Sequence, residues 1–126
     1  MTDALGTFVI ALYLRQFPET LPQLKSWTRA KNLWLRRAAA VSLVPLARKG
    51  ERLDETYAIA ERLFNYPEDL IHKATGWVLR EAGKTDQVRL RNFLLQHGAQ
   101  IPRTALRYAI ERFPEAERKR LLSLTR

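Results

Sequence analysis

The chain has 126 residues, enough for one compact domain with its own core. It has no cysteine and only two well-separated histidines, which excludes a disulfide framework, a thiolate metal site and a histidine-based metal motif. Twenty-two Lys and Arg against thirteen Asp and Glu give a formal charge of +9. That balance attracts polyanions, nucleic acid ahead of an anionic membrane, although a solvated basic surface with no specific partner has the same composition.

Leu, Arg and Ala dominate, no Asn-Gly or Asp-Gly hairpin signal occurs, and no long stretch alternates apolar with polar, so an all-α chain is predicted. Asp3 caps a first helix that carries Leu5, Phe8, Val9 and Leu12 on one face and stops near Pro18. A second begins around Thr20 to Pro22, with Leu21, Leu24 and Trp27 as its apolar stripe. Asn32 to Gly50 reads as a central helix, with Asn32 its N-cap and Gly50 its stop. Leu33, Arg37, Ala40, Val41 and Val44 share a face there, Ala38 to Ala40 admit a close neighbour, and Pro45 bends or shortens the helix. Arg36 and Arg37 lie in its first turn and oppose the helix dipole. They point either to an anionic partner or to salt bridges with a neighbouring helix.

A fourth helix, Leu53 to Phe64, turns Tyr57, Ala60, Leu63 and Phe64 inward. Pro67 starts a fifth, with Leu70, Ala74, Trp77 and Val78 along one side and Gly83 at its end. Gly76 inside it costs about 1 kcal/mol against alanine and signals close approach of another helix or of a ligand. Asp86 caps a sixth helix that ends at His97 and Gly98. Pro102 opens a seventh, with Ala105, Leu106, Ala109, Ile110 and Phe113, and Pro114 opens a short basic eighth.

The helices pair off. The odd-numbered ones begin near positions 3, 32, 67 and 102, and the last three starts are about 35 residues apart. Leu35-Arg36-Arg37-Ala38, Leu79-Arg80-Glu81-Ala82 and Leu106-Arg107-Tyr108-Ala109 echo one another on those helices. The pattern predicts a right-handed superhelical stack of antiparallel helix pairs, a HEAT-like or ARM-type α-solenoid, as a single domain over 1–126. A four-helix-bundle-like globule is the alternative. If the odd helices line the concave face, Arg36, Arg37, Lys73, Arg103 and Arg107 gather near their N-termini as a phosphate-tracking surface. The bland reading of the same row is a solvated basic face.

The runs KSWTRAKNLWLRRAAAVSLVPLARKG, LIHKATGWVLREAGK and IPRTALRYAIERFPEAER resemble the DNA alkylation repair family, the AlkD-like glycosylases, over nearly the whole chain. The resemblance implies HEAT-like repeats whose concave basic surface holds duplex DNA, and excision of N3- and N7-alkylated purines. It implies that Trp77 is the tryptophan packed beside the lesion, that Arg37 contacts phosphate there, and that Asp3 is the catalytic aspartate. It implies no cofactor and no metal. Each residue has a plainer reading: Asp3 as a helix cap, Trp77 as a core ring, Arg37 as the partner of a glutamate such as Glu81. Trp27 and Trp34 are read as packing residues, His72 and His97 as surface residues.

The chain departs from the family by lacking a tryptophan one turn upstream of the aspartate and the repeats before it, so it resembles only the C-terminal half to two-thirds of a full member. That predicts an exposed apolar end on the first helices, with Phe8, Tyr13 or Phe17 as candidates, and self-association through it. No apolar run approaches a membrane span and no signal-peptide layout is present, so a soluble, cytoplasmic protein with double-stranded DNA as its partner and no membrane is expected. The competing function is a helical-repeat module that binds nucleic acid or protein without chemistry.

Overall fold

The computed structural model describes residues 9, 10 and 12–126, which contain helices and turns but no strand. The expectations for Asp3, Leu5 and Phe8 fall outside the described residues. Helix α1 is described at 9, 10 and 12–16. A 3-10 turn, Pro18–Thr20, leads into α2 (Leu21–Trp27), followed by α3 (Leu33–Val41), α4 (Val44–Arg48) and α5 (Leu53–Leu63). Then come α6 (Asp69–Ala82), α7 (Gln87–His97), α8 (Arg103–Ala109) and α9 (Glu115–Leu124).

The predicted central helix is two helices. Asn32 caps α3 as expected, its side-chain oxygen accepting from the backbone N–H of Trp34 at 2.8 Å and of Leu35 at 3.4 Å. The chain then turns at Ser42 and Leu43, and Pro45 falls in the first turn of α4, where its missing N–H leaves no bond unmade. Gly50 closes the far end at φ +78°. There Gly50 N–H donates to the Ala47 carbonyl and Glu51 N–H to the Leu46 carbonyl, both at 2.9 Å, which satisfies the last carbonyls of α4.

Two layers emerge from the contacts. In one, α6 is the middle member, packed between α3 with α4 on one flank and α8 on the other. These helices run the same way, because Arg36 at the start of α3 meets Glu68 at the start of α6 and Arg48 at the end of α4 meets Glu81 near its end. Likewise Gly76 faces Ala105 while Arg80, one turn on, meets Glu111. In the other layer α5 and α7 lie side by side, with Asp54 on Arg89, Tyr57 on Phe93 (centroids 4.7 Å) and Phe64 on His97 (5.9 Å). Leu24, Leu43, Leu46, Ile59, Leu63, Ile71, Leu79 and Leu106 fill the space between the layers.

Ion pairs tie together helices that are far apart in sequence. Arg15–Glu51, Arg36–Glu68, Arg48–Glu81, Arg80–Glu111 and Arg89–Asp54 span 31 to 36 positions of sequence, about one repeat of the period read from the helix starts. Two of them are shielded from water. Arg36 is buried, forms two 2.8 Å hydrogen bonds to Glu68 and lies 4.4 Å from the centre of the Tyr66 ring. Glu81 is 2% exposed and accepts from Arg48 at 2.8 Å and Lys84 at 2.7 Å. Burial pushes the Glu81 carboxyl pKa up, but the hydrogen bonds from Lys84 and Arg48 outweigh it and hold the value below the ordinary 4.5. Hydrogen bonds from Arg36 and Arg91 depress Glu68 and Glu117 in the same direction.

Several side chains sit elsewhere than the sequence predicts. Trp34 is 62% exposed, because the inward positions of α3 are Arg36, Ala39 and Ala40, and residue 34 falls on the opposite side. Trp27 packs half-buried against the core as expected. His72 is half-buried, its Nε2 2.6 Å from the Tyr66 carbonyl, and His97 packs on Phe93 with ring centres 4.3 Å apart, so neither histidine is a plain surface residue. Leu70 is exposed, whereas Ala74 and Val78 point inward. Tyr13 on α1 and Phe17 just past it are exposed, as expected for that end of the molecule, and Val9 and Leu12, read as part of the helix's apolar face, are exposed as well.

Two predictions follow from this packing. A Cβ at Gly76 would lie 2.4 Å from Tyr108 Cβ and 2.6 Å from the Ala105 carbonyl oxygen. Backbone cannot rotate away as a side-chain tip can, so Gly76→Ala destabilises by about 2 kcal/mol or more despite its better helix propensity, read as a lower urea midpoint. Glu68, Glu81 and Glu117 have folded-state pKa values below their unfolded ones, so their contribution is complete above the unfolded value near 4.5 and is lost as pH falls through the folded values. The urea midpoint is therefore level from neutral pH to about one unit above that value and falls steadily below it; a midpoint unchanged down to pH 3 (about one unit below the spread of ordinary carboxylates) contradicts this account.

Candidate nucleic-acid interface

Burial along α6 follows the helical period. Ile71, Ala74, Thr75, Gly76, Val78, Leu79 and Ala82 are sealed between the layers. Besides Asp69 in the first turn and the half-buried His72, the positions left to solvent, wholly or partly, are Leu70, Lys73, Trp77, Arg80 and, just past the helix end, Lys84. Steps of three and four residues put them in one stripe. An indole thus stands between two cations, each about one turn away along the same helix. Trp77 is half-buried: its inner part packs against the core and its outer part reaches the surface, so it is not an interior ring.

The flanking helices extend this surface. On α8, Arg107 is exposed, and Tyr108, whose Cβ marks the closest approach to Gly76, is half-buried beside the stripe. Lys73 forms an i,i+4 pair with Asp69 at 3.2 Å; that hydrogen bond raises the lysine pKa. On α3, Arg37 is half-buried and engaged. Glu81, the glutamate weighed as its partner, is held by Arg48, Lys84 and Arg80.

The five predicted phosphate contacts divide by environment. Lys73 and Arg107 present their charge to solvent and Arg37 partly does. Arg36 turns inward to Glu68, and Arg103 donates to the Leu122 carbonyl at 3.0 Å and Thr125 Oγ1 at 3.2 Å, clamping the end of α9 onto the start of α8. Both guanidiniums satisfy protein acceptors instead of facing water, which realises the salt-bridge reading of the Arg36–Arg37 pair for one member. Arg80 and Tyr108 are surface members of the site that sequence reasoning missed. Arg80 could have been found, since it follows Trp77 by three positions on the same helix. Tyr108 is placed only by the glycine contact. Among the described residues no group of His, Cys, Asp and Glu could hold a metal ion, and no helix is long and apolar enough to cross a membrane.

The arrangement suits backbone recognition. Lysine and arginine side chains attract phosphates at any sequence, and an aromatic face between them offers attraction to a cationic or sugar group. No match was found among curated proteins. The family model described as DNA alkylation repair enzyme matches residues 1–113, nearly all of the chain and every helix that builds this surface. The chain belongs to the DNA alkylation repair enzyme family.

Proposed function

We propose that this protein binds duplex DNA along the stripe of α6 and its flanks, with the helix pairs forming a right-handed superhelical stack whose hollow side carries that stripe. It hydrolyses the N-glycosidic bond of N3- and N7-alkylated purines. The observation that carries the reading is the placement of Trp77 between Lys73 and Arg80 at the surface of a family member in DNA alkylation repair.

An alkylated purine bearing positive charge is already a good leaving group. The barrier lies in forming an oxocarbenium-like sugar, and a carboxylate near the anomeric carbon stabilises that charge and orients the attacking water. Asp3 supplies the carboxylate in this proposal. The exposed part of the Trp77 indole attracts the cation-like sugar through its ring face. Lys73, Arg37 and Arg107 hold the strand by its phosphates, and Arg80 joins them on the same flank. Chemistry directed at sugar and backbone needs no pocket around the base, so this reading does not call on base flipping.

Release of 7-methylguanine from methylated duplex DNA tests the proposal. Asp3→Asn is expected to lower the single-turnover rate by about 100-fold while duplex binding is kept, as for loss of a group that stabilises developing charge. Trp77→Ala lowers the rate by about tenfold, the scale of a partly desolvated cation–aromatic contact. Binding with a steep salt dependence and no base release overturns the catalytic half and leaves a binding module. No binding at low salt overturns both halves.

The exposed apolar residues Val9, Leu12, Tyr13 and Phe17 support self-association as a second property. Light scattering at increasing concentration is expected to give a rising mass that Tyr13→Ser with Phe17→Ser suppresses. A constant monomer mass for the unaltered chain contradicts it.

A further inference from the structure

Beyond the stripe, at the edge where the turns α6–α7 and α8–α9 meet, lies a cleft of about 300 Å³ lined by Arg80, Gly83, Lys84, Gln87, Leu90, Ala109, Arg112 and Phe113. Its chemistry is one-sided. Three cations line it and no carboxylate does. The acids that pair with two of those cations stand outside the lining: Glu111 meets Arg80 at 2.7 Å and Glu81 meets Lys84 at 2.7 Å. Arg112 is exposed and has no ion-pair partner among the described residues. Arg80 Nε is buried without a hydrogen bond, 3.6 Å from the nearer oxygen of Glu81. Leu90 and Phe113 give the cleft an apolar wall, and Gln87 can donate or accept at its rim.

Three positive groups gathered around a hollow repel one another unless an anion joins them, and two of the three have a carboxylate behind them, Arg80 that of Glu111 and Lys84 a share of Glu81, which Arg48 also holds. The third does not. We propose that this cleft is a binding site for a phosphate group, closed by Arg112 from one turn and by Lys84 from the other, with Arg80 at its base. Arginine suits the task because its planar guanidinium donates two parallel hydrogen bonds to phosphate oxygens, while lysine adds a point charge. The volume admits a phosphate with a small organic substituent against Leu90 and Phe113. The phosphate comes either from a free phosphate ester or from the backbone of a nucleic-acid strand that continues past the α6 stripe. In the second case the inference rests on the DNA-binding reading; in the first it stands without it.

The test uses the whole chain and inorganic phosphate as probe, followed by amide chemical shifts. Titration is expected to move the signals of Gly83, Lys84, Gln87 and Arg112 together, with saturation. Arg112→Glu is the variant of choice, because Arg112 has no ion-pair partner to leave behind and Glu81 keeps Arg48 and Lys84. It should weaken phosphate binding by tenfold or more, whereas Arg62→Glu, an equal charge reversal on the exposed side of α5, leaves it within twofold. Unchanged melting temperatures exclude misfolding as the cause. Shifts spread over the whole basic surface, or equal loss in both variants, overturn the site. A 20-base-pair duplex titrated over a range of salt then separates the sources. If the phosphate belongs to DNA, Arg112→Glu lowers the slope of log affinity against log salt by about one or more and inorganic phosphate competes. If the slope is unchanged while the variant has lost inorganic phosphate, the ligand is a free phosphate ester. Failure of the duplex to bind at all removes the DNA reading and leaves the phosphate titration to stand or fall alone.

Discussion

A helix that shares a layer with two parallel neighbours must let both come close, and α6 does so by different means on its two flanks. Toward α8 it offers Gly76, where the distance to the Ala105 backbone leaves no room for a methyl group. Toward α3 it offers Glu68, which takes the buried guanidinium of Arg36. The first contact sets the spacing of the layer, and the second sets its register at the helix starts. The surface stripe exists because of these two contacts: once α6 is gripped from both sides and from below, the flank with Leu70, Lys73, Trp77 and Arg80 is left facing solvent.

The ion pairs are part of the same construction. A cation and an acid more than thirty positions apart meet only when the helices that carry them pack together, so each such pair rewards tertiary packing. The buried carboxylate of Glu81 shows how strongly this is enforced. A charge so shielded is tolerated only because Arg48 from α4 and Lys84 from the following turn both reach it. The chain as a whole carries a net charge of +9.

Internal pairing of this kind explains why composition alone overstates the phosphate surface. Arg36 and Arg37 are adjacent and chemically identical, yet a step of 100° around the helix sends one into a salt bridge beneath Tyr66 and leaves the other near the surface. Arg103 is likewise spent on the α9 terminus. Family membership in DNA alkylation repair rests on most of the chain, while the chemistry proposed for Asp3 lies in residues that this structure does not describe.

Much of the architecture was legible in the residues themselves. Asn32 and Gly50 mark their helix ends through local hydrogen bonds and a positive φ, which depend only on near neighbours in sequence. Prolines at 45, 102 and 114 and the glycine at 83 punctuate the chain for equally local reasons, and the 35-residue spacing of helix starts anticipates ion pairs that close across that interval. What tertiary structure alone decided is which way individual side chains face. Trp34 and Trp77 are both tryptophans on helices of one layer, but exposure of the first and partial burial of the second follow from which flanks the neighbours cover. The same holds for His97 against Phe64, for Tyr108 over Gly76 and for the split between Arg36 and Arg37. Caps and turns are fixed by energies within a few residues; the facing of a side chain is fixed by partners about thirty positions away, which a linear pattern of hydrophobicity does not name.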